Sequence, residues 1–296
     1  MSTIQELYQQ AQLAEAAYAN FIAANGGVIT NNDAVIRALQ DGGFSAAQAA
    51  AFVSQWRVVN QYTAPFTQGV FGTGFSGTLF QNTQTGTYTF SLRGTNDLVA
   101  DVFGADVGDI VADGLALDQV VGMYNYWQSL THSGVYQAKQ LNSLTAETTA
   151  LNAAYAISTV AGLAYETTLR ARTDIVIDYP SRTVRAIVTV DSTQLSDPRL
   201  RTGTGTLPVT ASVNVDGHSL GGHLAMAFSR LFPSSTTSVT AVNGAGFNFA
   251  NTNVNNLFAM LGGGSSFDAS KITNVVGTAG ERELNVQGSP AALSAR

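Results

Sequence analysis

The amino-acid sequence predicts an α/β fold with a mostly parallel sheet, flanking helices and an N-terminal helical segment. Strand-like and helix-like stretches alternate after residue 180, as they do in chains that form parallel sheets. Residues 3 to 25 carry apolar side chains at the spacing of an amphipathic helix. With 296 residues, 45% of them hydrophobic and 11% charged, the chain can bury a large core as a single domain; a division into two domains is possible but not required.

The other elements follow from local patterns along the chain. Ser45 has the position of an N-cap for a helix over 46–56. Further helices are predicted over 33–39, 118–130, 222–230 and 254–261, and strands over 75–80, 87–92, 182–190, 209–215, 238–242 and 271–276. Residues 81–86 join the first two strands as a hairpin candidate. Residues 143–170 are expected to be helical in part, and 135–208 form an insertion of unclear structure within one domain spanning 1–296.

Composition excludes several classes of function. The formal net charge is -6, and the only lysines are Lys139 and Lys271, so a nucleic-acid groove and a basic membrane-binding patch are not expected. The absence of cysteine excludes disulfides, thiolate metal sites and cysteine nucleophiles. No cofactor is expected from the sequence, and a requirement for calcium stays open.

The most informative segment runs from Gly217 to Gly221 and reads G-H-S-L-G. It follows the β-branched run 209–215 and leads into the helical stretch 222–230, which is the strand–turn–helix context of a nucleophile elbow. Glycine on either side allows a tight turn that holds the Ser219 hydroxyl toward substrate. We therefore predict Ser219 as a nucleophile; the alternative is an ordinary glycine- and serine-containing turn.

An acyl-transfer serine also needs hydrogen-bond donors for the oxyanion that develops during attack. The elbow supplies one from the residue after the nucleophile, the backbone N–H of Leu220. The second donor normally comes from a loop after an earlier strand. The turn that follows the strand over 87–92 supplies Thr95 as the candidate.

These two turns together resemble the class 3 lipases and the related secreted bacterial lipases and phospholipases A1. Those proteins carry an F-R-G-[ST] turn upstream of G-H-S-L-G-G; this chain has Leu92-Arg93-Gly94-Thr95 and a full match over 217–222. Weaker similarities lie at 13–18 and 243–251, whereas 135–208 matches nothing in that family. The resemblance implies an α/β-hydrolase core, a Ser-Asp-His triad in that chain order and hydrolysis of lipid esters. The resemblance also implies that Arg93 has a structural role. The alternative is that Arg93 is an ordinary surface arginine.

The general base is not evident in the sequence. The histidines are His132, His218 and His223, and none follows Ser219 at the distance that the triad order implies. His223 lies one helical turn after Ser219 and is expected to be a structural residue of the scaffold. If the resemblance holds, the base lies beyond Arg296 and the chain is a piece of a longer protein. The alternative is a catalytically inactive relative.

Two carboxylates are candidates for the triad acid. Glu281 follows the strand over 271–276 and is favoured on topology, while Asp268 precedes that strand at a family-like distance from Ser219. Either could instead be a solvated loop carboxylate. Residues 98–104, directly after the oxyanion turn, are the candidate lid, with an ordinary core helix as the alternative.

The sequence therefore predicts a serine carboxylester hydrolase, a lipase or phospholipase A1 that forms an acyl-enzyme on Ser219. The alternative is a catalytically incomplete hydrolase-like module for binding or adhesion within a larger secreted protein, and a peptidase or thioesterase is a third possibility. The expected partners are a lipid or another ester substrate and a transient lipid interface. The first residues lack the features of a signal peptide, so leaderless secretion through a C-terminal signal outside this sequence and cytoplasmic residence both stay open.

Overall fold

The computed structural model describes residues 3–64, 74–94, 116–179, 181–248, 251–277 and 284–287. A mixed sheet of seven strands has the order β1-β2-β3-β9-β10-β11-β12. Its strands are β1 (Trp56–Thr63), β2 (Ser76–Asn82), β3 (Tyr88–Leu92), β9 (Val213–His218), β10 (Thr236–Val242), β11 (Ile272–Gly277) and β12 (Leu284–Gln287). The fold is therefore α/β, as the sequence predicts.

The centre of this sheet is parallel and its two sides are antiparallel. β3, β9, β10 and β11 run in the same direction, whereas β1 and β2 on one side and β12 on the other pair antiparallel. The carboxyl ends of the four parallel strands therefore meet at one edge, which we call the carboxyl edge. In sheets of this kind ligands bind outside the carboxyl ends of the strands.

Helices cover both faces of the sheet. The described helices are α1 (Ile4–Ala16), α2 (Asn32–Asp41), α3 (Ala46–Gln55), α4 (Leu117–Thr131), α5 (Thr145–Ile157), α6 (Thr159–Arg170), α7 (Leu220–Leu231) and α8 (Thr252–Met260). On one face, α4 and α7 bury an aromatic cluster in which the Trp127 and Phe228 rings are 4.9 Å apart. On the other face, α1 to α3 pack around Phe80 and Trp56. Among the described residues no helix is long and apolar enough to cross a membrane.

The segment from β5 to β7 forms a smaller unit of its own. β5 (Gln137–Ser143), β7 (Thr183–Asp191) and β6 (Val176–Asp178) form an antiparallel sheet in the order β5-β7-β6, and α5 and α6 pack against each other beside it. A separate apolar cluster around Leu151 and Leu169 holds the unit together. Two short strands, β4 (Ser133–Gly134) and β8 (Gly203–Thr204), pair nearby.

The helix predicted over 3–25 ends earlier than expected. Thr3 begins α1 with a capping box to Glu6, and the helix ends at Ala16. The backbone N–H of Phe21 then donates to the side chain of Gln61, and Ile22 pairs with Val28 as an isolated bridge. A hydrogen bond from β1 therefore replaces the one that a continued helix would supply.

The strand predicted over 209–215 also lies later than expected, at Val213–His218. The reason is local, because the N–H of Ala211 donates to the carbonyl of Pro208 and closes a turn over the first residues of the predicted strand. The β2–β3 hairpin, the Ser45 N-cap and the helix that follows the elbow agree with the sequence prediction. Ser45 also forms a capping box with Gln48.

Asparagine side chains of α8 form hydrogen bonds with backbone groups of the smaller unit. Replacing one of these asparagines should therefore destabilise the protein. The Asn253 amide donates to the carbonyl of Ile177 at 2.9 Å and accepts from its N–H at 3.3 Å. We expect Asn253→Ala to lower the free energy of unfolding by about 1–3 kcal/mol, because buried backbone groups lose their partner. Urea denaturation measures it, with exposed Thr252→Ala as the control; equal midpoints for the two variants would contradict the prediction.

Candidate active site

Ser219 occupies the turn between β9 and α7 in a strained backbone conformation. Its dihedral angles are φ 55° and ψ -121°, and it is one of three described non-glycine residues with positive φ. The turn is held by a hydrogen bond from the Ser219 N–H to the carbonyl of Val242 at 2.8 Å and by one from the His223 N–H to the Ser219 carbonyl at 3.1 Å. Such strain persists only where the surroundings impose it, and it is concentrated at functional sites.

Glycines around the turn let three backbone segments approach one another. A Cβ on Gly217 would overlap the backbone of Gly221, and a Cβ on Gly221 would overlap the carbonyl of Leu92 at the end of β3. A Cβ on Gly222 would lie 2.8 Å from the Cα of Gly244, on the loop after β10. The start of α7 is therefore in direct contact with the carboxyl ends of β3, β9 and β10.

The Arg93-Gly94 turn, far from the elbow in sequence, lies directly against it. A Cβ on Gly94 would lie 2.6 Å from the carbonyl oxygen of His218 and 3.5 Å from the nitrogen of Gly221. Burial lowers the pKa of Arg93, and its Nε has no hydrogen-bond partner in the described part of the chain. The two motifs that carry the sequence resemblance thus meet at the carboxyl edge, as an oxyanion turn and an elbow would.

Leu220 begins α7 and is buried. Its backbone N–H has no carbonyl partner among the described residues, as is usual for the first turn of a helix. The aligned peptide dipoles of α7 add partial positive charge at this end of the helix. Leu220 therefore offers an available donor next to the Ser219 hydroxyl, where the sequence places one half of an oxyanion hole.

Three predicted features fall outside the residues that the structure describes. Thr95, the second oxyanion donor, follows Gly94 directly; Glu281 lies in the connection between β11 and β12; and the candidate lid covers 98–104. The roles given to Thr95, Glu281 and residues 98–104 therefore stay sequence predictions. Within the described ranges no group of three or more histidine, aspartate and glutamate side chains could hold a metal ion.

Asp268 lies away from Ser219. Its side chain caps the short 3-10 turn at 269–271 by accepting from the N–H and hydroxyl of Ser270, and it is exposed. This turn precedes β11, whereas Ser219 follows the carboxyl end of β9, which runs parallel to β11 through β10. The structure does not bring Asp268 and Ser219 together, because they lie at opposite ends of the parallel strands.

The histidines occupy three different environments. His223 is fully buried, stacks on Phe247 at 4.1 Å and has its Nδ1 3.1 Å from the carbonyl oxygen of Ala245. Burial lowers the pKa of His223 to about 4, so it is a neutral ring in the scaffold. His132 ends α4 beside the chain that leads into the amino end of β9. Among the described residues none hydrogen bonds the hydroxyl of Ser219.

Tyr18 is a site residue that sequence reasoning did not single out. Its hydroxyl lies against Gly94 and is 3.4 Å from Nδ1 of the exposed His218. It thus touches both the oxyanion turn and the elbow from the segment after α1. The signal in the sequence is the similarity over 13–18, which predicts a helix but not a contact with the elbow.

Asp216 is a second residue that the sequence did not identify as unusual. It is fully buried beneath the elbow, and neither of its carboxyl oxygens has a hydrogen-bond partner among the described residues. Burial raises the pKa of Asp216 well above its ordinary value, and the hydroxyl of Ser91, opposite it on β3, offsets this only in part. Burial therefore favours the protonated, neutral form of this carboxyl in the folded protein.

Substitution at the oxyanion turn tests the contact between the two motifs. We expect Gly94→Ala to destabilise the protein by about 1–3 kcal/mol, because the new methyl group would press on the backbone carbonyl of His218. Gly264→Ala is the matched control, since its Cβ would meet only ordinary contacts at 3.5 Å and beyond. Thermal unfolding compares the two variants, and equal melting temperatures would contradict the packing described above.

The neutral carboxyl of Asp216 predicts a pH dependence of stability. The folded chain holds this proton more tightly than the unfolded chain, so its contribution is complete below about pH 4 and is lost as pH rises toward the raised native value. Asp216→Asn, which stays neutral, should therefore gain stability relative to the parent as pH increases from 4 to 8. Urea denaturation across this range measures the difference, and parallel curves for parent and variant would refute it.

Comparison with known proteins adds one similarity to this description. No protein-family model matches the chain, and no curated protein matches it. Among solved structures, the Lip2 lipase of Yarrowia lipolytica is similar with a TM-score of 0.35 and 14% sequence identity, covering 93% of this chain and 71% of that chain. Values this low do not establish a common fold, so the architecture rests on the strand order and elbow geometry of this chain.

Proposed function

We propose that the protein is a serine carboxylester hydrolase of the α/β-hydrolase type. One observation carries the proposal: Ser219 adopts φ 55° in a strand–turn–helix whose glycines permit no side chain. A serine has no packing reason to occupy this conformation in place of glycine. The arrangement is that of a nucleophile elbow, which presents the serine hydroxyl above the sheet.

The chemistry follows from the groups around the turn. The Ser219 oxygen attacks the ester carbonyl carbon while its proton passes to a general base, and the carbonyl oxygen becomes an oxyanion. The Leu220 N–H at the positive end of α7 would stabilise this oxyanion, together with the donor that we assign to Thr95. Collapse of the intermediate expels the alcohol, which takes up the proton from the base, and leaves an acyl group on Ser219. Water then hydrolyses the acyl-enzyme.

For the triad acid we favour Glu281 over Asp268. β11 ends at the carboxyl edge, so a residue in the connection after it can approach the elbow, whereas Asp268 precedes that strand. The base stays unassigned, since His223 is locked in the core and His132 belongs to another part of the molecule. His218 is exposed beside the nucleophile, and its ring nitrogen faces Tyr18.

For the substrate we propose a lipid ester, so that the enzyme is a lipase or a phospholipase A1. The support is the pair of motifs at 92–95 and 217–222, which resemble those of the class 3 lipases, and the contact of Gly94 with the elbow. We propose no cofactor for the reaction itself. Secretion, as in the bacterial lipases that the motifs resemble, belongs to the same proposal.

Replacing the nucleophile tests the proposal. We expect Ser219→Ala to reduce the hydrolysis of a soluble p-nitrophenyl ester by about a thousandfold or more, because the acyl-enzyme can no longer form. Ser212→Ala is the matched control, since this exposed serine precedes the same strand and its hydroxyl hydrogen bonds that of Thr237.

Two outcomes would contradict the proposed function. Equal hydrolysis by the parent and Ser219→Ala would mean that another group reacts with the ester. A folded parent that hydrolyses neither p-nitrophenyl esters nor lipid esters would instead favour the hydrolase-like binding module. Circular dichroism of the two variants confirms that each has the fold of the parent.

A further inference from the structure

The helical hairpin α5–α6 ends in an exposed apolar surface. Ile157, Val160 and Leu163 are 81%, 78% and 53% exposed, and the alanines at 156 and 164 beside them are exposed as well. We call residues 156–164 the hairpin tip. A monomer in water leaves large aliphatic side chains grouped in this way only at a cost, so such a group indicates a surface that contacts something apolar.

The charges of the chain restrict what that partner can be. No charged residue occurs from Thr148 to Tyr165, so the hairpin tip offers nothing to pair with an ionic partner. The whole chain carries a net charge of -6, which disfavours approach to an anionic surface. A partner that complements the hairpin tip therefore has an apolar interior and a surface without net charge.

Contacts within the hairpin tip and next to it hold α5 and α6 together. The N–H of Ala161 donates to the hydroxyl of Ser158, which caps α6 directly after α5 ends. Glycine at 162 admits the ring of Tyr155 between the two helices, and the Tyr155 hydroxyl donates to Glu166 at 2.5 Å. The Tyr155–Glu166 hydrogen bond thus lies just outside the hairpin tip, whose aliphatic side chains remain exposed.

The end of α6 contacts the N-terminus of α8. Arg170, the last residue of α6, donates to the side chain of Asn251 at 2.7 Å and to Glu166 at 2.8 Å. Asn251 is the N-cap of α8 and ends the loop that leaves the carboxyl end of β10. Because β10 pairs with β9, this loop starts at the same edge as Ser219. The hairpin is therefore joined to the end of a loop that starts at the edge holding the candidate nucleophile.

We propose that the hairpin tip binds the surface of a phospholipid bilayer without net charge, and so holds the carboxyl edge near lipid. The choice of lipid as the partner rests on the proposed function, while the exposed aliphatic side chains and the absence of charge determine the kind of surface. Ile157, Val160 and Leu163 enter the apolar side of the headgroup region, and the charged base of the hairpin stays in water. The contact is with an interface and does not span it.

Vesicle binding without turnover tests this proposal. The protein carries Ser219→Ala throughout, so that no lipid is consumed, and is mixed with phosphatidylcholine vesicles before flotation. We expect Ile157→Glu, Val160→Glu and Leu163→Glu together to lower the bound fraction by about tenfold or more, because three apolar contacts are replaced by charges. The matched control changes Ile4, Val135 and Val209 to Glu, which adds the same charge at exposed sites away from the hairpin.

A second variant reports where the hairpin tip lies. Trp56 and Trp127 are buried, so the fluorescence of Ile157→Trp should shift to shorter wavelength with phosphatidylcholine vesicles and that of Val209→Trp should not.

Weaker binding to phosphatidylglycerol vesicles would also support the proposal. Failure of the parent to bind vesicles, or equal loss in the two triple variants, would overturn it. A dimer that dissociates only in the hairpin variant would also overturn it, by assigning the hairpin tip to a second copy. Hydrolysis of a soluble ester tests the proposed function separately.

Discussion

The close approach of the start of α7 to the ends of β3, β9 and β10 is the constraint on which the site depends. It is possible only because glycine stands at each point of backbone contact, at 94, 217, 221, 222 and 244. Side chains at these positions would push the helix away from the sheet and relax the turn. The strain at Ser219 is therefore maintained by packing around it, and the hydrogen bond from its N–H to Val242 fixes the turn to the next strand.

This constraint also explains why the site draws on distant parts of the sequence. The elbow, the Arg93-Gly94 turn and the segment after α1 meet because β3 pairs with β9 and α1 packs across both strands. The same arrangement buries Asp216, since cross-strand pairing places it opposite Ser91 beneath α1 rather than in water. Burying this carboxyl costs less free energy when it keeps its proton, because the neutral form loses less solvation than the charged form.

Sequence reasoning succeeded where local chemistry decides the structure. Ser45 specifies the N-cap of α3, and the glycines around Ser219 specify a tight turn. It missed β1, because a bulge between Val58 and Asn60 moves its apolar side chains from one face to the other and hides the alternation. It placed Asp268 before the strand over 271–276 but kept it as a candidate for its family-like distance in sequence, which does not show that the start of a parallel strand lies at the end opposite to Ser219. The structure of 135–208 depends on its attachment to α8, which no local pattern reveals.

The most direct test of the central claim is the reaction of the 296-residue chain with a fluorophosphonate, followed by peptide mapping of the adduct. This reagent modifies a serine hydroxyl that is activated and faces an oxyanion site. The account predicts a single adduct on Ser219, and the loss of that adduct in Ser219→Ala. An adduct on another serine would contradict the assignment of Ser219 as the nucleophile, and a folded chain that remains unmodified would contradict its activation by groups within residues 1–296.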